Sequence, residues 1–409
     1  MSIRPLSAPK TIFAMKSLYL LFWSTVFVSS QYMTIYLRDF SFTTDFTVGV
    51  IMSVGSLVAT ISQFLWGNIA DHAKTKNRIL LTVIAGLLAG LLLLILPAHK
   101  SLYTLLPCYF FFFFFNSIPG MLIDTISVEN VDRFGVPFGK VRVFASAGAA
   151  MGAFLLYLLS LGVTLKPVTT FVMAFVTGAA AIVPASFLPL TKGHAYGLKG
   201  EKSKASYQIL LRNPRMLLLL IYLLLTFIGV SMCNLFMGVY YATDAGMNAG
   251  LGMYGLFFAV CIGVETFTMA FANRYLQNMD IYKIFTLVSI AAFSRAFIIF
   301  ASPNIYFMYL LAISQAMLFA PLWTRLTPYV NSIVPIEMRA TGQAAWSIMI
   351  SGVAPMVGSA LGGTIAGVFG IRNLFGIVSA FLAVVGIVFF FLYRRQRKGF
   401  QAEESEKAN

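Results

Sequence analysis

The most restrictive feature of this sequence is a repetition. Apolar runs of about 20 residues or more recur along the whole chain, separated by short polar segments. Wound as a helix at about 1.5 Å per residue, such a run crosses the roughly 30 Å hydrocarbon core of a bilayer. Inside lipid the backbone must satisfy its own N–H and C=O groups, so repeated runs of this kind fold as a bundle of membrane-spanning helices. Twelve runs are read, at residues 12–37, 46–70, 78–97, 102–128, 139–162, 168–190, 214–243, 250–273, 281–300, 304–330, 338–366 and 372–393. Several exceed 20 residues, so tilt or extension past the bilayer is expected. The composition agrees: 59% of the residues are hydrophobic and only 11% are charged.

A net charge of +15 could point to nucleic acid, but the basic residues are sorted by loop and not gathered on one soluble face. With the N-terminus placed in the cytoplasm, the outer loops hold only Arg38, Lys100, Lys166 and Arg372. The inner segments hold Lys74, Lys76, Arg78, Arg133, Lys192, Lys199, Arg394, Arg395 and more. That asymmetry predicts both termini inside, which an even number of helices requires. Arg4 and Lys10 precede an apolar run too long for a signal-peptide core, so no cleaved signal is expected and the run is read as the first helix. Short loops and minimal termini suggest a bacterial inner membrane.

The longest polar stretch, Thr191 to Arg215, separates six runs from six. The expected domains are residues 1–190 as a six-helix bundle, 191–213 as a basic cytoplasmic linker, 214–398 as a second six-helix bundle, and 399–409 as a polar, unstructured tail. The expected fold class is an all-α membrane protein of twelve transmembrane helices in two pseudo-symmetric six-helix halves. This layout resembles the major facilitator superfamily, whose substrate site lies near the midplane between halves. The loop after the second run adds to the likeness. Gly67-Asn68-Ile69-Ala70-Asp71-His72-Ala73-Lys74-Thr75-Lys76-Asn77-Arg78 resembles that superfamily's glycine–aspartate–basic loop, with Ala73 replacing the second glycine. A glycine at 67 permits close helix approach. Asp71 can cap a helix or meet a base such as Arg78, so Gly67, Asp71 and Arg78 are the candidate conformational latch. A solvated charged loop is the plainer alternative.

Ionisable residues at membrane depth are costly and functional by default. Asp124, Arg142, Glu265, Arg295 and Arg325 are of this kind. Asp124 and Arg142 stand nine residues either side of Arg133, the centre of the turn between the fourth and fifth helices. Equal spacing from a hairpin turn gives equal depth, so the two are expected to pair. Glu265 and Arg295 form a looser couple, with the arginine about one turn deeper. One acid–base couple per half suits a rocking transporter that shares a polar solute. Two structural ion pairs that fix helix packing are the alternative.

The segment Gly139-Lys140-Val141-Arg142-Val143-Phe144, preceded by Asp124, resembles the corresponding region of the lactose permease family of proton-coupled oligosaccharide symporters. Gln63-Phe64-Leu65-Trp66-Gly67, Ile228-Gly229-Val230-Ser231 and the stretch from Gly358 to Leu374 agree. The resemblance implies that Asp124 and Arg142 bind substrate hydroxyls, with aspartate in place of the family's glutamate, and that Glu265 and Arg295 act in the second half. Two departures bear on the substrate. The family's sugar-stacking tryptophan falls on Ala149, and the helix 10 histidine and glutamate that handle the proton are absent from Gln315-Ala316-Met317-Leu318-Phe319-Ala320-Pro321. Any coupled proton is then carried by Glu265 or Asp124. Burial favours a neutral carboxyl and a nearby guanidinium a charged one, so a solute that competes for the arginine can switch protonation.

No GxxxxGK[ST] loop, HExxH helix or soluble Ser/His/Asp set is present, which argues against an ATPase or other enzyme. Cys108, Cys233 and Cys261 lie in apolar runs without a CxxC pair, so no metal is expected, nor any cofactor. The small-residue stripes at 145–152 and 352–363 permit close helix contact. Pro355 can bend its helix, and Pro119-Gly120 marks a kink before Asp124. The run Phe110 to Phe115 is read as lipid-facing. The favoured reading is symport of a small polar solute, a sugar or nucleoside, with protons, by a monomer in lipid. The alternative is an exporter of drugs or metabolites, against which the lack of a helix 5 proline motif counts.

Overall fold

The computed structural model describes residues 8–96, 99–193, 212–276, 279–335 and 338–408. The first seven residues and most of the basic linker, residues 194–211, lie outside that range. Among the described residues twelve helices are long and apolar enough to cross a membrane. They are α1 (Ala8–Arg38), α2 (Asp45–His72), α3 (Lys76–Ile95), α4 (Leu102–Val131), α5 (Gly139–Ser160), α6 (Pro167–Ser186), α7 (Pro214–Ala242), α8 (Gly250–Phe271), α9 (Ile281–Ala301), α10 (Phe307–Ile333), α11 (Thr341–Phe369) and α12 (Ile371–Arg395). Each coincides with one apolar run of the sequence, to within about four residues at either end. No strand occurs among the described residues. The tail, expected to be unstructured, instead continues the last helix, which runs Ile371–Ala408. Its Gln, Ala, Glu and Lys residues are good helix formers, so nothing after Arg395 stops the helix before its end.

Contacts gather the chain into two compact units. The first comprises Met1–Ser203 and Gly238–Gly263, the second Lys204–Met237 and Val264–Asn409. The end of α7 and the start of α8 therefore group with α1–α6.

In the first unit α1 packs against α5 and α6, and α3 against α4 and α6. The α5 stripe of small residues makes the first contact. A Cβ at Gly148 would fall on the Leu20 carbonyl, and one at Gly152 would lie 2.5 Å from Ser24 Oγ. Ala145, Ala149 and Ala153 are buried beside them. The stripe is thus filled by a neighbouring backbone. The phenylalanine run does more than face lipid. Phe112 is fully buried against Gly90 of α3, and Phe115 fills the notch at Gly86. Phe111 stays exposed. Farther along α1, the Tyr32 hydroxyl donates to the Leu251 carbonyl at 3.1 Å. Tyr32 meets Tyr254 edge-on, and Phe27 meets Phe258. A Cβ at Gly255 would strike the Ala153 carbonyl, so the start of α8 lies in backbone contact with α5.

In the second unit α9 packs against α12 and α10. Gly358 of α11 sits on the Ile228 carbonyl of α7, and Gly362 lies over Met232. α11 is interrupted by one wide turn at Met349–Val353. Pro355 has no N–H to give to the preceding turn, and the wide turn absorbs the missing bond.

Candidate functional site

The first cluster is built on a broken helix. α4 consists of Leu102–Asn116 and Ile118–Arg133, with the interruption at Ser117. Pro119 has no N–H to give to the preceding turn, which breaks the ladder there. The Ser62 hydroxyl of α2 donates to the Phe114 carbonyl beside the break. The following segment carries Asp124. Its Oδ1 accepts from the Tyr19 hydroxyl at 2.6 Å and lies 3.1 Å from Arg142 Nε. The hairpin spacing had predicted that pairing. The guanidinium lies over the Trp23 ring, 4.6 Å from its centroid, and 5.7 Å from that of Tyr19. Gly120 leaves room for Trp23, since a Cβ there would meet the indole at 3.3 Å. Phe22 and Tyr19 brace the ring at 5.3 Å. Both partners of the ion pair keep 37% of their side-chain surface accessible. They form an open acid–base pair on an aromatic floor.

The second cluster differs. Arg295 is 3% exposed, and it does not touch Glu265. Its Nη1 donates to Gln315 Oε1 at 2.7 Å, and its Nη2 to Asn234 Oδ1 at 2.8 Å and to Met237 Sδ at 3.7 Å. Gln315 Nε2 donates in turn to Glu265 Oε2 at 2.8 Å. The one-turn difference in depth is thus bridged by a glutamine. Tyr19, Trp23, Asn234 and Gln315 were not singled out from sequence as site residues. Lone amides and ring hydroxyls inside apolar runs were the available signal. Arg325 lies apart from this cluster, with Nη2 donating to the Met279 carbonyl.

The proposed latch residues make no such cluster. Asp71 and Arg78 are exposed, and their side chains form no hydrogen bond or ion pair among the described residues. A Cβ at Gly67 would meet only the Met121 methyl, at 3.5 Å. The buried charge of this loop is Lys76, 1% exposed and 2.6 Å from Glu129 at the end of α4. Beside it Asn77 donates to the Leu188 and Pro189 carbonyls and accepts from the Thr191 N–H. Among the described residues no group of His, Cys, Asp and Glu is placed to hold a metal.

Twelve spanning helices with charged clusters at membrane depth define a membrane transport protein. Comparison with known proteins gives the family. Residues 12–377 match the model of the MFS_1 like family, and the chain belongs to it. It is 22% identical over 389 residues to a maltose permease of Geobacillus stearothermophilus, covering 94% of this chain and 96% of the permease. It is 23% identical to YwbF of Bacillus subtilis, an uncharacterized transporter, covering 86% of each. Among solved structures, the nucleoside transporter NupG in a point-variant form superposes with a TM-score of 0.79 at 15% identity, over 95% of this chain and all of that one. A peptide transporter, POT, gives 0.73 at 12% identity, over 95% and 98%. The fold is that of the major facilitator superfamily. The chain is a multi-pass secondary transporter of small molecules and not an enzyme.

Proposed function

We propose that this transporter carries a small polar solute, a sugar or nucleoside, together with protons, by alternating access between two six-helix halves. The observation that carries the reading is the accessible Asp124–Arg142 pair on its floor of Tyr19 and Trp23. A carboxylate and a guanidinium side by side offer acceptors and donors to hydroxyl groups, and an indole suits a flat ring. Relatives that carry maltose and nucleosides by name support the solute class. Glu265, linked to Arg295 through Gln315, is the second site and the carrier of the coupled proton, with Asp124 the other carboxylate able to serve.

The distribution of lysine and arginine supports cytoplasmic termini, and the membrane is read as the cell's inner (plasma) membrane. Asp71 and Arg78, unengaged here, are then cytoplasmic latch groups free to find partners in another state of the cycle, with Gly67 leaving room beside them. The Tyr32–Leu251 and Gly255–Ala153 contacts fall at the opposite, outer ends of their helices, where they act as a closed outer gate. The superfamily resemblance, not a feature of this chain, is the ground for reading the protein as a monomer in lipid.

The test is solute-driven proton movement in proteoliposomes, with maltose, uridine and dialanine as probes. Sugar or nucleoside is expected to alkalinise the outside, and Asp124→Asn to abolish the response. Glu265→Gln is expected to change its pH dependence. An unaltered pH dependence in both variants would end the assignment of the proton to these carboxylates, and a response to none of the probes would end the solute class.

A further inference from the structure

The second unit carries a groove whose lining shares no residue with either charged cluster. It runs between α9 and α12, which pack against each other. Two cavities form it, of about 510 and 450 Å³, sharing Thr286, Ile290 and Phe390 as common walls. The helices approach closely at Gly386, where a Cβ would lie 3.1 Å from Ser289. The trough opens outward: Ile290, Ile387 and Phe390 are exposed large hydrophobic residues. The Thr286 and Ser289 hydroxyls are already satisfied, and the Tyr393 hydroxyl is buried away from the trough surface. Thr286 donates to the Tyr282 carbonyl, and Ser289 to that of Phe285. What the trough presents is therefore hydrocarbon.

One end is charged. Lys283, in the first turn of α9, and Arg394, at the end of α12, line the mouth with Tyr282 and Tyr393 between them. Both cations are exposed, and neither makes an ion pair or hydrogen bond among the described residues. The nearby acid Asp280 accepts from the Tyr282 N–H as helix cap. Lys283 gains nothing from its own helix, whose N-terminal dipole end repels a cation. An apolar trough as long as several helical turns, ending in two unpaired cations, is complementary to one kind of molecule of the membrane, with acyl chains and a negative headgroup.

We propose that the α9–α12 groove is a binding site for an anionic phospholipid, its headgroup phosphate held by Lys283 and Arg394 and one acyl chain laid along Ile290, Phe390 and Gly386. The site is independent of the transported solute.

The full-length protein, stripped of lipid in mild detergent, is titrated with dioleoyl-phosphatidylglycerol or dioleoyl-phosphatidylcholine and observed by native mass spectrometry. Phosphatidylglycerol is expected to bind about tenfold more tightly. The preference is expected to vanish in Lys283→Gln/Arg394→Gln, two exposed changes that leave Tm unaltered. Ile290→Trp fills the trough and is expected to weaken both lipids, whereas Lys10→Gln, on α1, is expected to change nothing. Equal binding of phosphatidylglycerol by wild type and double variant would show that the two cations merely snorkel to water, and would overturn the proposal. So would displacement of the lipid by millimolar glycerophosphate with no contribution from the chains.

Discussion

The two charged clusters hold one acid and one arginine each, yet they solve different physical problems. Asp124 and Arg142 touch directly and keep accessible surface, which leaves hydrogen-bonding positions of both open to another group. Arg295 is enclosed; two amide oxygens and a thioether accept from its Nη1 and Nη2, while its Nε is buried without a hydrogen-bond partner among the described residues. A buried guanidinium is stabilised by several well-placed acceptors, and removing them leaves an uncompensated charge. Similar sequence ingredients therefore give a cluster suited to exchange partners in the first unit and a fixed one in the second. Gln315 links Arg295 to Glu265, and on the function proposed above the open arginine is the one a solute would meet.

Exchanging the loss between the two arginines is the strongest way to break that comparison. Arg142→Gln is expected to lower solute uptake about 100-fold while leaving Tm nearly unchanged, because its pair is open and an exposed pair stabilises by less than about 1 kcal/mol. Arg295→Leu is expected to act first on the fold. It leaves the Gln315 and Asn234 oxygens without a donor, at about 1–3 kcal/mol each. Thermal unfolding in detergent, beside uptake in vesicles, separates the two. If both variants lose uptake with Tm intact, the arginines are equivalent and the distinction fails.

Among the described residues the aromatic floor belongs to the first cluster alone, and it sharpens the comparison further. Cation–π contact with a tryptophan contributes about 0.5–2 kcal/mol. Trp23→Ala is expected to weaken solute binding by about tenfold, and Trp23→Phe by less, measured by competition against a radiolabelled solute. Equal affinity in wild type and Trp23→Ala would remove the indole from the site and leave it a packing residue above Gly120.

Much of this was legible in the sequence. Helix positions follow from the thickness of a membrane, which sets run length without reference to any partner. The Asp124–Arg142 contact was legible because a hairpin fixes the relative depth of residues equidistant from its turn. The second cluster was less so. Gln315 and Asn234 carry no charge, so a search for ionisable groups passes over them, and whether an amide faces a neighbour or lipid depends on helix rotation. Lys76 is one of the basic residues of the loop motif and of the cytoplasmic side, yet it is buried against Glu129. Nothing local announces that partner, which comes from 53 residues away. The loop motif shows the converse: it is plain in the sequence, but the Asp71 and Arg78 side chains make no hydrogen bond or ion pair among the described residues.

The smallest expected effect tests the bridge itself. Gln315→Met keeps the length and approximate volume of the side chain but removes one acceptor and one donor. Arg295 keeps Asn234, and Glu265 loses the bond at 2.8 Å. If the second cluster positions rather than binds, solute exchange between equal concentrations should change by less than about threefold. Stability should fall by about 1–2 kcal/mol, as for one buried hydrogen-bonding group lost. Proton-driven accumulation should fall more than exchange does, since Glu265 is no longer held to Arg295. A fall in exchange as large as that of Arg142→Gln would mean that Gln315 meets the solute directly, and the two clusters would then be two halves of one binding surface.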